Sequence, residues 1–224
     1  MDALVNKPGR WQSNLEPSMR PIGLGRKRLI DIVLALSAIV VLAPLLIICC
    51  FATIVASPGP ALFRHRRVGF QGRHFDCLKF RTMVVDAPER LSRLLEQDKM
   101  AAAEWTANRK LRYDPRVTAI GAILRKSSLD ELPQLFNVLM GDMSIVGPRP
   151  VTEDELVRYS EAISAYLACR PGITGLWQVS GRSSTTYQKR VACDAFYARK
   201  WSMTLDAKIL IGTIPALLLT DDAC

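Results

Sequence analysis

Histidine is scarce in this chain, with two residues among 224, and no two cysteines are spaced as Cys-x-x-Cys. The six cysteines (Cys49, Cys50, Cys77, Cys169, Cys193 and Cys224) have no histidine nearby at zinc-ligand spacing, which argues against a structural metal. Cys49 and Cys50 lie inside an apolar run, where a disulfide framework has no use, so the chain reads as one with free thiols in a reducing compartment. His65 and His74 lack a partner histidine and read as residues of a basic surface. Internal repeats and low-complexity tracts are missing as well. The first ~25 residues are polar and hold no apolar core leading to a small-residue cleavage site, which argues against a cleaved secretory signal. Neither a recognition-helix pattern nor an aromatic stacking platform occurs, so nucleic acid is not the expected partner.

What is present begins with charge. A net charge of +9 favours an anionic partner, and with nucleic acid set aside, lipid headgroups and phosphorylated substrates remain. The length suits one domain with a small appendage. Residues Ile32 to Ala56 then form a run of roughly 25 residues without a charge, which is membrane length. Arg26, Lys27 and Arg28 stand before it, and Arg64, Arg66 and Arg67 after it. Positive charge marks the cytoplasmic face, and here both ends carry it. Pro44, near the middle, removes a backbone donor and clashes with the carbonyl one turn earlier. A helix broken there could enter one leaflet and leave by the same face, which satisfies both basic flanks. The alternative is an ordinary kinked spanning helix. Asp31, at the start of the run, reads as a cap.

Downstream, Ser57-Pro58-Gly59-Pro60 stops the helix. Leu62 to Val68 and His74 to Met83 read as two strands of a hairpin, with Cys77, Lys79 and Arg81 on one face. Lys79 and Arg81 would then stand about 6–7 Å apart, a spacing that suits a diphosphate as well as a solvated strand face. Helices are expected over Asp86 to Ala103, Val117 to Arg125, Asp130 to Leu139, Glu153 to Leu167, Thr186 to Trp201 and Asp206 to Leu219. The fold class is α+β and mostly helical. A Pro-broken membrane helix, expected to be re-entrant, would lead into a β-hairpin and a helical domain with interfacial helices. The expected division is a flexible lead over 1–25, the membrane helix over 26–57 and the helical domain, catalytic if the likeness given below holds, over 58–224.

The most informative stretch is Leu124 to Leu139. Pro133 is comfortable only in a first helical turn, so the helix should begin near Leu129 or Asp130. Asp130, Gln134 and Asn137 would share one face, and Leu132, Leu135, Phe136 and Leu139 the other. Adjacent acids at a helix start commonly serve as cap and dipole complement. Here, however, Arg125 stands just before the helix, and Gly147-Pro148-Arg149-Pro150 supplies another rigidly placed guanidinium. A carboxylate inside an anion site is odd unless chemistry or a divalent metal needs it.

A succession of motifs now resembles one family. They are Lys27-Arg28 with Asp31, the apolar helix, Ser57-Pro58-Gly59-Pro60, Arg67-Val68-Gly69 and Lys79-Phe80-Arg81-Thr82-Met83. After them come Asp114 to Thr118 (Asp-Pro-Arg-Val-Thr), Leu129 to Gln134 (Leu-Asp-Glu-Leu-Pro-Gln), Gly141 to Pro150 and Arg170 to Gln178. In order, over Arg26 to Leu219, they look like the bacterial sugar transferases, the monotopic phosphoglycosyl transferases. The resemblance implies a re-entrant helix, action from the cytoplasmic face of the bacterial inner membrane, an Asp-Glu dyad and Mg²⁺. It makes Asp130 the nucleophile on the β-phosphate of a UDP-sugar, with a polyprenyl phosphate (undecaprenyl phosphate by default) as the second substrate. Glu131 would help hold Mg²⁺. Arg125 and Arg149 match phosphate-binding positions, with Lys79 and Arg81 assisting. Asp206 matches an acidic position of the C-terminal motif, and Gln178 and Arg182 are candidates for nucleotide or sugar contacts. The likeness leans towards a hexose, galactose or glucose, at the start of exopolysaccharide assembly. One departure is Ala43 before Pro44, where small members often carry serine, so a hydroxyl able to pair with a freed backbone group is absent. Rival readings are a non-enzymatic membrane-anchored scaffold, with Asp130 and Glu131 as a helix cap, and a hydrolase of nucleotide sugars. A lipid-acceptor requirement separates the three.

Overall fold

The computed structural model describes residues 21–108, 110–181 and 186–218. Helix α1 (Leu24–Ala56) carries the apolar run. It is followed by β1 (Leu62–Val68), β2 (His74–Phe80), α2 (Ala87–Gln97), α3 (Lys99–Asn108), α4 (Ala119–Lys126), a 3₁₀ turn (Leu129–Glu131) and α5 (Gln134–Met140). Then come β3 (Ser144–Val146), α6 (Glu153–Leu156), α7 (Ile163–Leu167), β4 (Gly172–Thr174), α8 (Leu176–Val179), α9 (Tyr187–Lys200) and α10 (Met203–Leu218). The chain is mostly helical, as expected, with two two-stranded sheets, β1–β2 and β3–β4.

Among the described residues α1 is the one helix long and apolar enough to cross a membrane, with a mean hydropathy of 3.1 over its best window and little burial. Pro44, where a break is expected, lies inside the helix, with helical residues on both sides, so any bend there leaves the helix continuous. A proline removes one hydrogen bond and strains one turn, which an otherwise helical run can absorb. Buried positions on α1 recur one turn apart near each end: Lys27, Asp31 and Ala35 at the start, then Cys49 and Thr53, with Ser57 following. Val41, Ile47 and Phe51 between them are exposed.

The chain divides into two compact units. One takes the beginning of α1 as far as Val41, Arg64–Leu78 and the chain from Gln134; the other takes Leu42–Phe63 and Lys79–Pro133. In the first unit, Ala35, Phe75, Cys77, Leu135, Val138 and Met143 form one core cluster. Val68, Val151, Leu156, Tyr159, Tyr166 and Leu167 form a second, and Val146, Cys169, Tyr197 and Ile209 a third. Strands β3 and β4 pair in parallel, Ser144 with Gly172 and Val146 with Thr174. A Cβ on Gly147 would collide with the Arg170 carbonyl, so only glycine allows the loop after β3 to close onto the start of β4. In the second unit Cys49, Phe80 and Leu124 make the core, flanked by Leu45, Leu46, Ile120, Leu129 and Leu132.

Several expected elements are shorter than their sequence patterns. The helix over Asp86 to Ala103 is two helices, because the Asp98 carboxylate accepts from the Met100 and Ala101 amides at 2.8 and 3.0 Å and starts α3 anew. The helix over Glu153 to Leu167 is interrupted by a 3₁₀ stretch in which Ser160 takes φ 46°. Strand β2 stops at Phe80 rather than Met83, which makes only an isolated bridge to Val117. The helix over Asp130 to Leu139 is a 3₁₀ turn, then Pro133, then α5, and its polar face is turned inward. Gln134 and Asn137 are buried while Phe136 is exposed. The reason is Asn137, whose side chain accepts from the Leu78 amide at 2.9 Å and donates to the Asp76 carbonyl at 2.8 Å, completing the edge of β2.

Candidate active site

The acidic pair belongs to the second unit. Ser128, in the left-handed region (φ 56°, ψ 16°), turns the chain out of α4 and into the 3₁₀ turn that carries Asp130 and Glu131. The Ser128 side chain makes no capping hydrogen bond. Glu131 is instead paired with Lys79, whose Nζ lies 2.6 Å from Oε1 and 3.8 Å from the Asp130 carboxylate. Asp130 is buried, with 9 % of its surface exposed. Burial raises its carboxyl above the usual range; the Lys79 charge opposes this, Glu131 adds to it, and Arg125 opposes it more weakly.

Arg125 is placed by the way α4 is docked. Thr118 caps that helix through Gly121 N–H at 2.9 Å, and its own amide donates to the Thr82 carbonyl at 3.0 Å. Gly121 lies so close to the Thr82 carbonyl that a Cβ would overlap it. Arg125, in the last turn of α4, then donates from Nε to Thr82 Oγ1 at 2.9 Å. Arg116 and Asp114 pair at 2.6 Å, with the Arg116 guanidinium over the Trp105 ring at 5.0 Å, and fix the loop leading into α4. Arg81, expected beside Lys79 as a phosphate ligand, is buried and donates to the Ser57 and Pro58 carbonyls. In this structure it closes the Ser-Pro-Gly-Pro turn after α1.

The remaining expected residues belong to the first unit. Arg149 stands on the loop after β3, which is held where the Gly147 amide donates to the Thr174 carbonyl at 2.9 Å and the Gly172 amide to the Pro148 carbonyl at 2.8 Å. Its guanidinium lies over the Trp177 ring at 5.6 Å. Gln178 donates from Nε2 to the Ile173 carbonyl at 3.4 Å, and its buried Oε1 has no hydrogen-bond partner. Asp206 is filled: Lys27 Nζ at 2.7 Å, Tyr197 Oη at 2.7 Å and Trp201 Nε1 at 3.1 Å all donate to it. It ties the first turn of α1 to α9 and α10. Arg182 lies outside the described residues.

Residues 23–220 match the model of the family described as bacterial sugar transferase. The chain belongs to that family. It is 47% identical over 203 residues to the exopolysaccharide production protein ExoY of Sinorhizobium fredii, covering 91% of this chain and 90% of the relative. It is 51% identical to an uncharacterized sugar transferase of Haemophilus influenzae and 48% identical to the undecaprenyl-phosphate galactose phosphotransferase of Salmonella typhimurium. Each match covers 88% of this chain but only 42% and 41% of the relative, so the chain spans about two fifths of those longer proteins.

Within a bacterial sugar transferase the buried anchors of α1 acquire a purpose that the sequence reading missed. Besides Lys27, the Arg28 guanidinium donates to the Leu139 carbonyl at 2.9 Å and also to that of Val138. Asp31 accepts from Ser144 Oγ at 2.8 Å and from the Ile145 amide at 3.0 Å, so it is no cap of its own helix. The signal available in the sequence was the placement of Lys27 and Asp31 one turn apart, at the edge of a run where solvent-facing charge has no reason to stop so abruptly. Trp177 was read only as a core or interfacial anchor, and Arg190, Asp194 and Tyr159 went unnoticed, because the elements that bring them together are far apart in the chain.

Proposed function

We propose that the chain transfers a hexose phosphate from a UDP-sugar to a polyprenyl phosphate, with release of UMP. The observation that carries this reading is the buried Asp130 beside Glu131, faced by Lys79 and Arg125, in a bacterial sugar transferase. The names of the relatives supply the substrates. One is an undecaprenyl-phosphate galactose phosphotransferase, and another, from Caulobacter vibrioides, is a UDP-glucose:undecaprenyl-phosphate glucose-1-phosphate transferase, 44% identical over 208 residues.

Asp130 acts as nucleophile. Its carboxylate oxygen bonds to the β-phosphorus, the bond from that phosphorus to the oxygen bridging the two phosphates breaks, and UMP leaves with the electron pair. The phosphate oxygen of the lipid then attacks the same phosphorus, releasing Asp130 and forming the lipid diphosphate sugar. Lys79 and Arg125 offset the phosphate charge near the carboxylate, and Arg149 holds a phosphate group. The pair Asp130 and Glu131 is an oxygen-only donor set of the kind that holds Mg²⁺ together with substrate phosphates, and Glu131 would be the chief protein ligand. When bound, the ion offsets charge on the diphosphate and its leaving group.

Both ends of α1 are proposed to lie on one membrane face, as in a re-entrant helix. Lys27, Arg28 and Asp31, at its start, are bonded to Asp206, Val138, Leu139 and Ser144, which all follow its end. Among the described residues no helix after α1 is long and apolar enough to bring the chain back across. A spanning α1 would therefore separate partners that are in contact. With basic residues at both ends, the shared face is the cytoplasmic one. Such a seat brings a lipid-borne phosphate and a soluble nucleotide sugar to the same interface.

A covalent intermediate predicts exchange without acceptor. Purified protein given a UDP-sugar, radiolabelled UMP and no lipid should return label to the nucleotide sugar, and Asp130→Asn should abolish this. Lipid-dependent turnover without any exchange would mean direct transfer and remove the aspartyl intermediate.

A further inference from the structure

A second cluster of charged and aromatic side chains lies wholly within the first unit. Trp177, on α8, is 6 % exposed, and two guanidiniums stand over its ring: Arg149 at 5.6 Å and Arg190, on α9, at 4.4 Å. One turn on from Arg190, Asp194 is buried and accepts from Tyr159 Oη at 2.7 Å. Arg149 and Arg190 both act on the Asp194 carboxyl electrostatically, so it is their common counter-charge.

The cluster is incomplete in two respects. Two half-buried guanidiniums face one buried acid, so one positive charge is left over within the cluster. Among the described residues, two donors in it are also buried without a hydrogen-bond partner, Arg190 Nε and Trp177 Nε1. Folded proteins rarely leave such groups unsatisfied, and an orphaned guanidinium N–H beside surplus positive charge suits an oxyanion. A purely structural stack would not need the second arginine, since Arg149 alone already lies over the ring and Asp194 already has its tyrosine.

We propose that Arg190 is a second ligand, beside Arg149 on the Trp177 shelf, for a phosphate oxyanion of a substrate, with Asp194 and Tyr159 as the pair that positions it. This rests on the transferase reading for the identity of the anion, which is either the nucleotide phosphate of the donor or the phosphate of the lipid acceptor. Arg190 contributes by gripping the anion, and the reacting bonds are those described above.

The test uses the full chain in nanodiscs and three probes: UMP, inorganic phosphate, and undecaprenyl phosphate incorporated in the disc. Binding is measured calorimetrically for the wild type, Arg190→Ala, Arg190→Lys and Arg190→Gln, the last serving if the alanine variant fails to fold. Arg190→Ala should weaken binding of UMP or of the lipid phosphate by about tenfold or more, with Arg190→Lys intermediate. Loss on the UMP side assigns the site to the donor, and loss on the lipid side assigns it to the acceptor. Equal binding by the wild type and folded Arg190 variants for every probe would overturn the proposal, as would a wild type that binds none of them. UMP release from a panel of UDP-sugars, with Asp130→Asn as control, is read in parallel. Arg190-dependent anion binding without any UMP release would keep the anion site and discard the transferase reading. Normal release with unaltered binding in the variants would do the opposite.

Discussion

Burial holds the Asp130 carboxyl above its usual range although Lys79 and Arg125 both face it. A carboxyl raised in this way stabilises the fold when protonated, and that contribution is lost as pH rises through the raised value. Asp130→Asn should therefore leave the melting temperature at neutral pH equal or higher while abolishing turnover, as expected where function is bought with stability. The rate should climb with pH through a value above the ordinary aspartate range, because only the carboxylate attacks. A flat rate profile across that range would deny Asp130 the role. Asp194 obeys the same sign. Burial pushes it up to about 7, with Tyr159, Arg149 and Arg190 opposing, so folding stability should fall between about pH 4 and pH 7 as it ionises. Urea unfolding of Asp194→Asn over that window should lack the fall that the wild type shows. The Asp206 carboxylate is filled by Lys27, Tyr197 and Trp201. Asp206→Ala strands a buried lysine and should cost about 3–5 kcal/mol in equilibrium unfolding. Unchanged stability with lost activity would instead make Asp206 a substrate or metal ligand. The sequence pointed to Asp206 as an important acid, but not to what it touches, because its principal partner Lys27 lies far back in the chain.

At the scale of elements, what could be read from sequence follows how local the determinants are. The length of α1, the hairpin, α4 and α9 were legible, because apolar runs and turn residues act within a few positions, although the Thr118 cap that starts α4 was read as helical. The break at Asp98 was missed although an aspartate before a helical stretch is a cap signal; the leucines on either side suggested one continuous face. The pairing of β3 with β4 joins three-residue strands far apart in sequence, and nothing local announces it. The inward polar face of α5 had the same cause, since Asn137 answers hydrogen bonds of β2 that only the folded unit presents. The acidic pair itself was legible through Arg125 and Pro133, whereas the grip of Arg81 on the Ser57 and Pro58 carbonyls was not. Two element-level outcomes follow. Gly121→Ala should push α4 off the Thr82 carbonyl, lowering the melting temperature and, by displacing Arg125, turnover as well. For α1, single cysteines at Arg26 and Arg64, in a background without the six native cysteines, should both react with an impermeant thiol reagent only after the cytoplasmic side is opened. Reaction of one without opening would make α1 a spanning helix.

For the whole molecule, the surplus of +9 accords with the proposed substrates and membrane face, which all carry phosphate. Each compact unit holds part of α1. One unit carries the acidic pair with Lys79 and Arg125, and the other carries Arg149 and the Trp177 cluster. Lipid-dependent phospho-sugar transfer through Asp130, as proposed, is tested most directly by measuring UMP release by the full chain in nanodiscs with Mg²⁺, undecaprenyl phosphate and a panel of UDP-sugars, beside Asp130→Asn and Glu131→Gln. The expected result is release with a hexose donor, dependent on the lipid and abolished by Asp130→Asn. No release from any donor, or release undiminished in a folded Asp130→Asn variant, would contradict it.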